Sequence, residues 1–142
     1  MHADPSSKSV RFDIDMGAPG EGSGLNFNGY SRGHMTFTVP LGWNVSMKVT
    51  NADSLPHSLE IVAEQTTPPI DGVETAFPRA ETIDLKDGMP PNASDSLSFT
   101  ADKAGRYWIM CAVPGHAAGG MWDLLVVSET ATAPVVTFDT GH

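Results

Sequence analysis

The run Cys111-Ala-Val-Pro-Gly-His116-Ala-Ala-Gly-Gly-Met121 sets a thiolate, an imidazole and a thioether at successive spacings of five residues. Two imidazoles and a thiolate in a trigonal plane, with a weak and distant thioether, form a blue (type 1) copper electron-transfer centre. Soft sulfur suits Cu(I), and imidazole suits both oxidation states. The second imidazole must come from a separate strand. His57, preceded by the polar turn NADSLP and followed by the apolar-periodic SLEIVAE, is placed to supply it. Each residue taken alone has an ordinary explanation, since a lone Cys ending an apolar strand is usually a small buried hydrophobe. Their conjunction in one Gly- and Pro-rich loop is what points to metal, because a restricted backbone holds ligands for an ion whose geometry changes little. Cys111 is the only cysteine. It excludes an internal disulfide and every site that needs two thiolates, such as a zinc ribbon or a dinuclear copper centre. His2 and His142 lie near the termini and His34 on the polar face of a strand, so all three are expected to be solvent-exposed and not ligands.

The elements that position these residues are short strands. Val10, Phe12, Ile14 and Met16 alternate with polar residues, as do Met35, Phe37 and Val39, and then Trp43, Val45, Met47 and Val49. Further strands are expected at SLEIVAE, at Ser96–Ala101, at RYWIMC and at WDLLVVS, while PVVTF in the tail either adds an edge strand or stays mobile. Residues from about 64 to 92 read as a long loop. A short helical turn near 72–81 is compatible with it, but Pro78 and its neighbours argue against a long helix. Seven to eight strands with regular turn signals and no amphipathic helix indicate an all-β fold, a Greek-key antiparallel β-sandwich or barrel. Met35, Met47, Met89 and Met110 are scattered at strand spacing, which makes core packing their expected role rather than metal trafficking.

With 142 residues, of which 40% are hydrophobic, the chain fits a single domain over 1–142 with a real core. The terminal segments 1–8 and 129–142 are expected to be mobile. A net charge of −9 argues against nucleic acid, whose phosphates would repel such a surface, and favours a positively charged partner. The chain has no apolar run long enough for a membrane span, and MHADPSSKS lacks the apolar stretch of a signal peptide. Met1 is therefore expected to begin a trimmed soluble fragment, with any membrane association coming through an anchor absent from this chain.

The segments FNGY (27–30), VPLGWNV (39–45), NADSLPHS (51–58), ASDSLSF (93–99) and AGRYWIMCAVPGHAAGGMWDLLVV (104–127) resemble the cupredoxins, particularly the sulfocyanin family, with rusticyanin a near relative. The likeness runs from about residue 25 to 128. It implies a cupredoxin-like fold, one type 1 copper ion, and His57, Cys111, His116 and Met121 as its ligands. Many cupredoxins have Asn after the first His. Here it is Ser58, as in the sulfocyanin and rusticyanin branch, and its hydroxyl is expected to tie the His57 segment to the Cys111 loop and orient the ligands. The resemblance further implies a monomer outside the cytoplasm, periplasmic or on the outer face of the cell membrane. Its partners would be redox proteins of a respiratory chain, a cytochrome or a terminal oxidase with a positive docking surface.

The leading functional expectation is an electron carrier, not an enzyme, that cycles Cu(II)/Cu(I) and takes no substrate. An oxidase or reductase would need a second copper centre rich in His-x-His pairs, and none occurs among the five histidines. The alternative is copper storage or delivery, to which a rigid site that releases metal slowly is poorly suited. Because Cys111, His57 and Met121 attach to strands or strand-adjacent loops, His116 is expected to be the exposed ligand. Pro114, Gly115, Ala117 and Ala118 would then surround it as a small apolar electron-transfer surface. Trp108 and Trp122 flank the site in sequence and are expected to be ordinary core or surface aromatics.

Overall fold

The computed structural model describes residues 1–139, so His142 lies outside the described residues. Among the described residues nine strands form two sheets: β1 (His2–Asp4), β2 (Ser9–Met16), β3 (Met35–Pro40), β4 (Asn44–Asn51), β5 (Glu60–Ala63), β6 (Ser94–Thr100), β7 (Gly105–Met110), β8 (Trp122–Ser128) and β9 (Val135–Phe138). One sheet has the order β1-β2-β4-β6 and the other β5-β7-β8-β3-β9. No α-helix occurs among the described residues, and 72–81 has no helical turn. The fold is the expected β-sandwich, with two differences. It has one strand more than the seven to eight foreseen, because β1 is three exposed residues with no apolar alternation. It is also mixed, since β2 runs parallel to β4 and β3 parallel to β8. Alternation shows which side chains face inward. It carries no information on the direction of a neighbouring strand that the chain reaches by crossing to the other sheet.

Period-two burial is nearly perfect in β2, β4 and β8, whose inward residues include Phe12, Ile14, Met47, Val49, Leu125 and Val127. Phe12 of one sheet meets Phe37 of the other edge-on, with ring centroids 4.7 Å apart. Met35, Met47, Met89 and Met110 are all buried in the core. In β5 and β7 the alternation fails, because these strands are covered on both faces. The cover is the long 64–92 segment. Its backbone bonds along the free edge of β5 (Ala76 N–H to Ile61 O, Ile61 N–H to Ala80 O and Thr82 N–H to Leu59 O, each 2.9 Å). Phe77 closes the side of the sandwich, its ring 4.9 Å from Phe99 and 4.8 Å from Tyr107. On the outer face, Val62, Trp108, Met110 and Ala117 form a second buried cluster with Val73 against it. Trp108 and Trp122 stack there at 3.9 Å.

One core residue is an acid. Asp123 on β8 is fully buried, its Oδ1 accepts the Met35 N–H at 3.3 Å, and its Oδ2 has no partner. Burial, with nearby Glu21 adding to it, pushes the carboxyl up from 3.8 to about 9. The folded protein therefore keeps a proton that the unfolded chain releases once pH rises above the ordinary carboxylate value. Stability is fully present below about pH 4 and declines as pH rises toward 9. At about 1.4 kcal/mol per pH unit, this loss is on the order of 4 kcal/mol by pH 7. Asp123→Asn should remove that decline. Thermal denaturation of both proteins from pH 3 to pH 8 should show the variant gaining on the wild type as pH rises, and parallel curves would contradict a buried neutral carboxyl.

Candidate metal centre

Three segments meet at one end of the sandwich. The β4–β5 connection carries His57, β7 leads directly into Cys111, and the β7–β8 loop carries His116 and returns through Met121 into β8. Backbone bonds hold these positions. His57 and Met89 exchange N–H to C=O bonds at 3.4 and 2.8 Å, the Cys111 N–H donates to Met121 O at 3.1 Å, and the Met121 N–H donates to His116 O at 3.0 Å. The loop thus closes on itself, and Cys111 and Met121 become neighbours.

His57 Nδ1 lies 3.3 Å from His116 Nδ1, and Cys111 Sγ lies 3.5 Å from the same His116 nitrogen. The three donor atoms all fall within 4.8 Å of one another, and no other such group of three occurs among the described residues. Bonds of roughly 2.0 to 2.3 Å to a first-row metal, at trigonal angles, separate such donors by roughly 3.5 to 3.7 Å. The two separations from His116 Nδ1 lie close to this range, so the three donors are near enough to share one ion. Met121 is fully buried beside it, as are His57 and Cys111, while His116 is only partly buried. Two sulfur donors and two imidazoles are the donor set of a copper site that serves both oxidation states.

Burial pushes the Cys111 thiol up, and Glu60 adds to this, against hydrogen bonds from the Ser58 and Val113 N–H groups. The Ser58 N–H points at Cys111 Sγ from 3.4 Å. The Ser58 hydroxyl donates to Leu85 O at 2.8 Å and accepts the Ala112 N–H at 3.1 Å. It therefore joins the β4–β5 connection, the 64–92 segment and the Cys111 loop at one buried atom. Burial lowers the His116 pKa and the neighbouring His57 adds to this, which favours the neutral imidazole that a metal requires.

Two sequence expectations need correction. Ala117, expected at the surface, is 1% exposed and packs with Val62, Trp108 and Met110. The loop is not an open tip. His116 N–H to Val113 O, Gly119 N–H to Gly115 O and Gly120 N–H to Ala117 O wind it into successive turns, which point Ala117 inward and leave Pro114, Gly115 and Ala118 outside. His34, expected to be solvent-exposed, is half-buried with Nδ1 2.8 Å from Glu21 Oε1. His2 is exposed as expected, 3.6 Å from Asp13. Two contributors went unnoticed in the sequence. Asp53 Oδ2 lies 2.8 Å from His57 Nε2, and an acid four residues before the His in NADSLPH was the available signal. Ile70 is 62% exposed and accepts the Gly115 N–H at 2.9 Å, a contact across the fold for which the sequence holds no sign.

A family model described as the Sulfocyanin (SoxE) domain matches residues 1–138. Sulfocyanin of Sulfolobus acidocaldarius is 33% identical over 141 residues, covering 94% of this chain and 71% of its own length. Rusticyanin from Thiobacillus ferrooxidans matches with a TM-score of 0.64 and 25% identity, over 85% of this chain and 78% of its own. Dithionite-reduced auracyanin from Roseiflexus castenholzii matches with a TM-score of 0.60 and 24% identity, over 89% and 99% of the two chains. That last likeness is one of fold.

Ser58→Ala should leave the buried Ala112 N–H without its acceptor and Leu85 O without its donor, at about 1–3 kcal/mol for an unsatisfied buried group. Guanidinium denaturation of the metal-free variant checks this, and a midpoint equal to the wild type's would mean that the hydroxyl joins nothing.

Proposed function

The chain belongs to the sulfocyanin family of blue copper proteins, and from that premise we propose that it is a one-electron carrier with His57, Cys111, His116 and Met121 as ligands of one type 1 copper ion. The observation that carries this reading is the convergence of His57 Nδ1, Cys111 Sγ and His116 Nδ1 within 4.8 Å at one end of a rigid sandwich. Copper bound there supplies the Cu(II)/Cu(I) couple. The chain does the rest. Cys111 would supply an anionic sulfur, His57 and His116 the two imidazole nitrogens, and Met121 a weak thioether from the core. The apolar surroundings keep water out, and the closed β7–β8 loop holds the donors in one geometry through both oxidation states.

Electrons enter and leave through His116, the ligand nearest solvent. Around it Pro114, Gly115 and Ala118 are exposed, and Ile70 extends the apolar surface from the 64–92 segment. Such a patch suits the small interface of a transient redox encounter. The net charge of −9 adds long-range attraction to a basic partner, screened over a Debye length of roughly 8 Å at physiological salt. The partners are redox proteins of a respiratory chain, a cytochrome or terminal oxidase with a positive docking surface, met outside the cytoplasm by a single-domain monomer. No helix among the described residues is long and apolar enough to cross a membrane.

Cys111→Ser should abolish the intense visible absorption that the wild type develops with Cu(II), because a hydroxyl has no counterpart to thiolate-to-copper charge transfer. A variant that keeps the band would remove Cys111 from the site. Ala118→Lys, which breaks the apolar patch and repels a cationic partner, should slow electron exchange with such a partner several-fold while leaving colour and thermal midpoint nearly unchanged, as followed by stopped-flow absorbance. Unchanged rates with several partners would exclude the His116 end as the port.

A further inference from the structure

The β4–β5 loop supplies more than a ligand. Asp53 turns its carboxylate toward His57, with Oδ2 2.8 Å from Nε2. The His57 side chain is fully buried, and that of Asp53 is 18% exposed. Asp53 is itself held through its carboxylate and its backbone. The Ser54 N–H donates to Oδ1 at 2.8 Å, and the Asp53 N–H donates to Asn51 Oδ1 at 2.9 Å. Asn51 Nδ2 in turn donates to Leu55 O and Met89 O, both at 2.8 Å. Two glycines leave the slot open. A Cβ at Gly17 (φ +79) would lie 2.3 Å from Asp53 Cβ, and one at Gly24 (φ +96) would lie 2.7 Å from Oδ2.

A carboxylate only accepts hydrogen bonds, so His57 Nε2 carries the proton and the lone pair of the neutral ring falls on Nδ1. That is the nitrogen facing His116 and Cys111. We infer that Asp53 is a positioning residue of the metal centre: it locks His57 in the tautomer that offers Nδ1 to copper, and its negative charge favours Cu(II) over Cu(I). A backbone carbonyl at the same place would orient the ring equally well but would carry no full charge. Charge is therefore what Asp53 adds beyond orientation, and it acts through a fully buried imidazole where solvent screens little. The consequence is a reduction potential held below the value that the sulfur ligands and the apolar surroundings would set by themselves. This inference rests on the type 1 copper reading above.

Two substitutions separate the two effects. Asp53→Asn keeps the size and an acceptor oxygen but loses the charge, whereas Asp53→Ala loses both. In spectroscopic redox titrations of the copper-loaded proteins, Asp53→Asn should keep the intense colour and shift the relative affinity about tenfold toward Cu(I), a rise of about 59 mV for a one-electron couple. In nitrogen-15 NMR of the metal-free proteins, His57 should be the Nε2–H tautomer in wild type and Asp53→Asn and a mixture in Asp53→Ala. The copper affinity of Asp53→Ala should fall about 10- to 100-fold. A coloured Asp53→Asn protein with the wild-type potential would overturn the charge role. An unmixed Nε2–H tautomer in Asp53→Ala would overturn the positioning role, and should that variant not fold, a mixed tautomer in the wild type would do the same. A wild type that binds Cu(II) without colour would instead overturn the copper reading, an outcome distinct from both.

Discussion

Two imidazole nitrogens and a thiol sulfur converge within 4.8 Å of one another at one end of the sandwich, with His57 and Cys111 buried and His116 partly so. Without a cation this arrangement is unfavourable, because converging electron-rich atoms repel and buried polar groups lose their hydration. The rest of the fold can be understood as what makes that convergence affordable. The ligands come from separate elements, so no single loop must carry the strain. The mutual backbone bonds of His57 with Met89, and the bonds from Cys111 N–H to Met121 O and from Met121 N–H to His116 O, hold these segments together. A close-packed sandwich resists the relaxation that would let the donors drift apart.

Rigidity at this end depends on the 64–92 segment. It bonds along the free edge of β5, drives Phe77 into the aromatic group of Phe99 and Tyr107, and receives the Ser58 hydroxyl at Leu85 O. It also buries Glu60 behind the metal-site end of the sheet, with Oε1 accepting the Val73 N–H and Oε2 unpartnered. Burial raises the pKa of that carboxyl, against the hydrogen bond from the Val73 N–H. A segment without regular structure thus closes the sandwich and shields the thiolate.

The electrostatics divide by location. Anionic groups on the exterior give the chain its strongly negative balance and the means to attract a basic partner over distance. Within the fold, Asp123 and Glu60 are pushed toward neutrality by desolvation. Asp53 differs: burial works to raise its pKa, but the hydrogen bond from His57, the Ser54 N–H and the attraction of the imidazole outweigh this and hold it below the ordinary carboxylate range. An acid at the edge of the core is tolerated in its charged form only where such partners are waiting for it.

Much of this was legible in one dimension. The alternation of Phe12, Ile14 and Met16, or of Val45, Met47 and Val49, marks sheet faces because successive strand side chains must point to opposite sides. The Cys-His-Met loop and an upstream His in a polar turn declare soft-metal chemistry because few other functions need those donors together. The sequence did not reveal strand direction, since the β2–β4 and β3–β8 pairs form only after the chain has crossed between sheets. Nor did it reveal the inward turn of Ala117, the contact of Ile70 with Gly115, or the slot between Gly17 and Gly24 that receives Asp53. Periodicity and ligand type are local properties that a chain carries along its length. Which residues meet across the fold is decided by the closing of loops and the packing of sheets, and those depend on every strand at once.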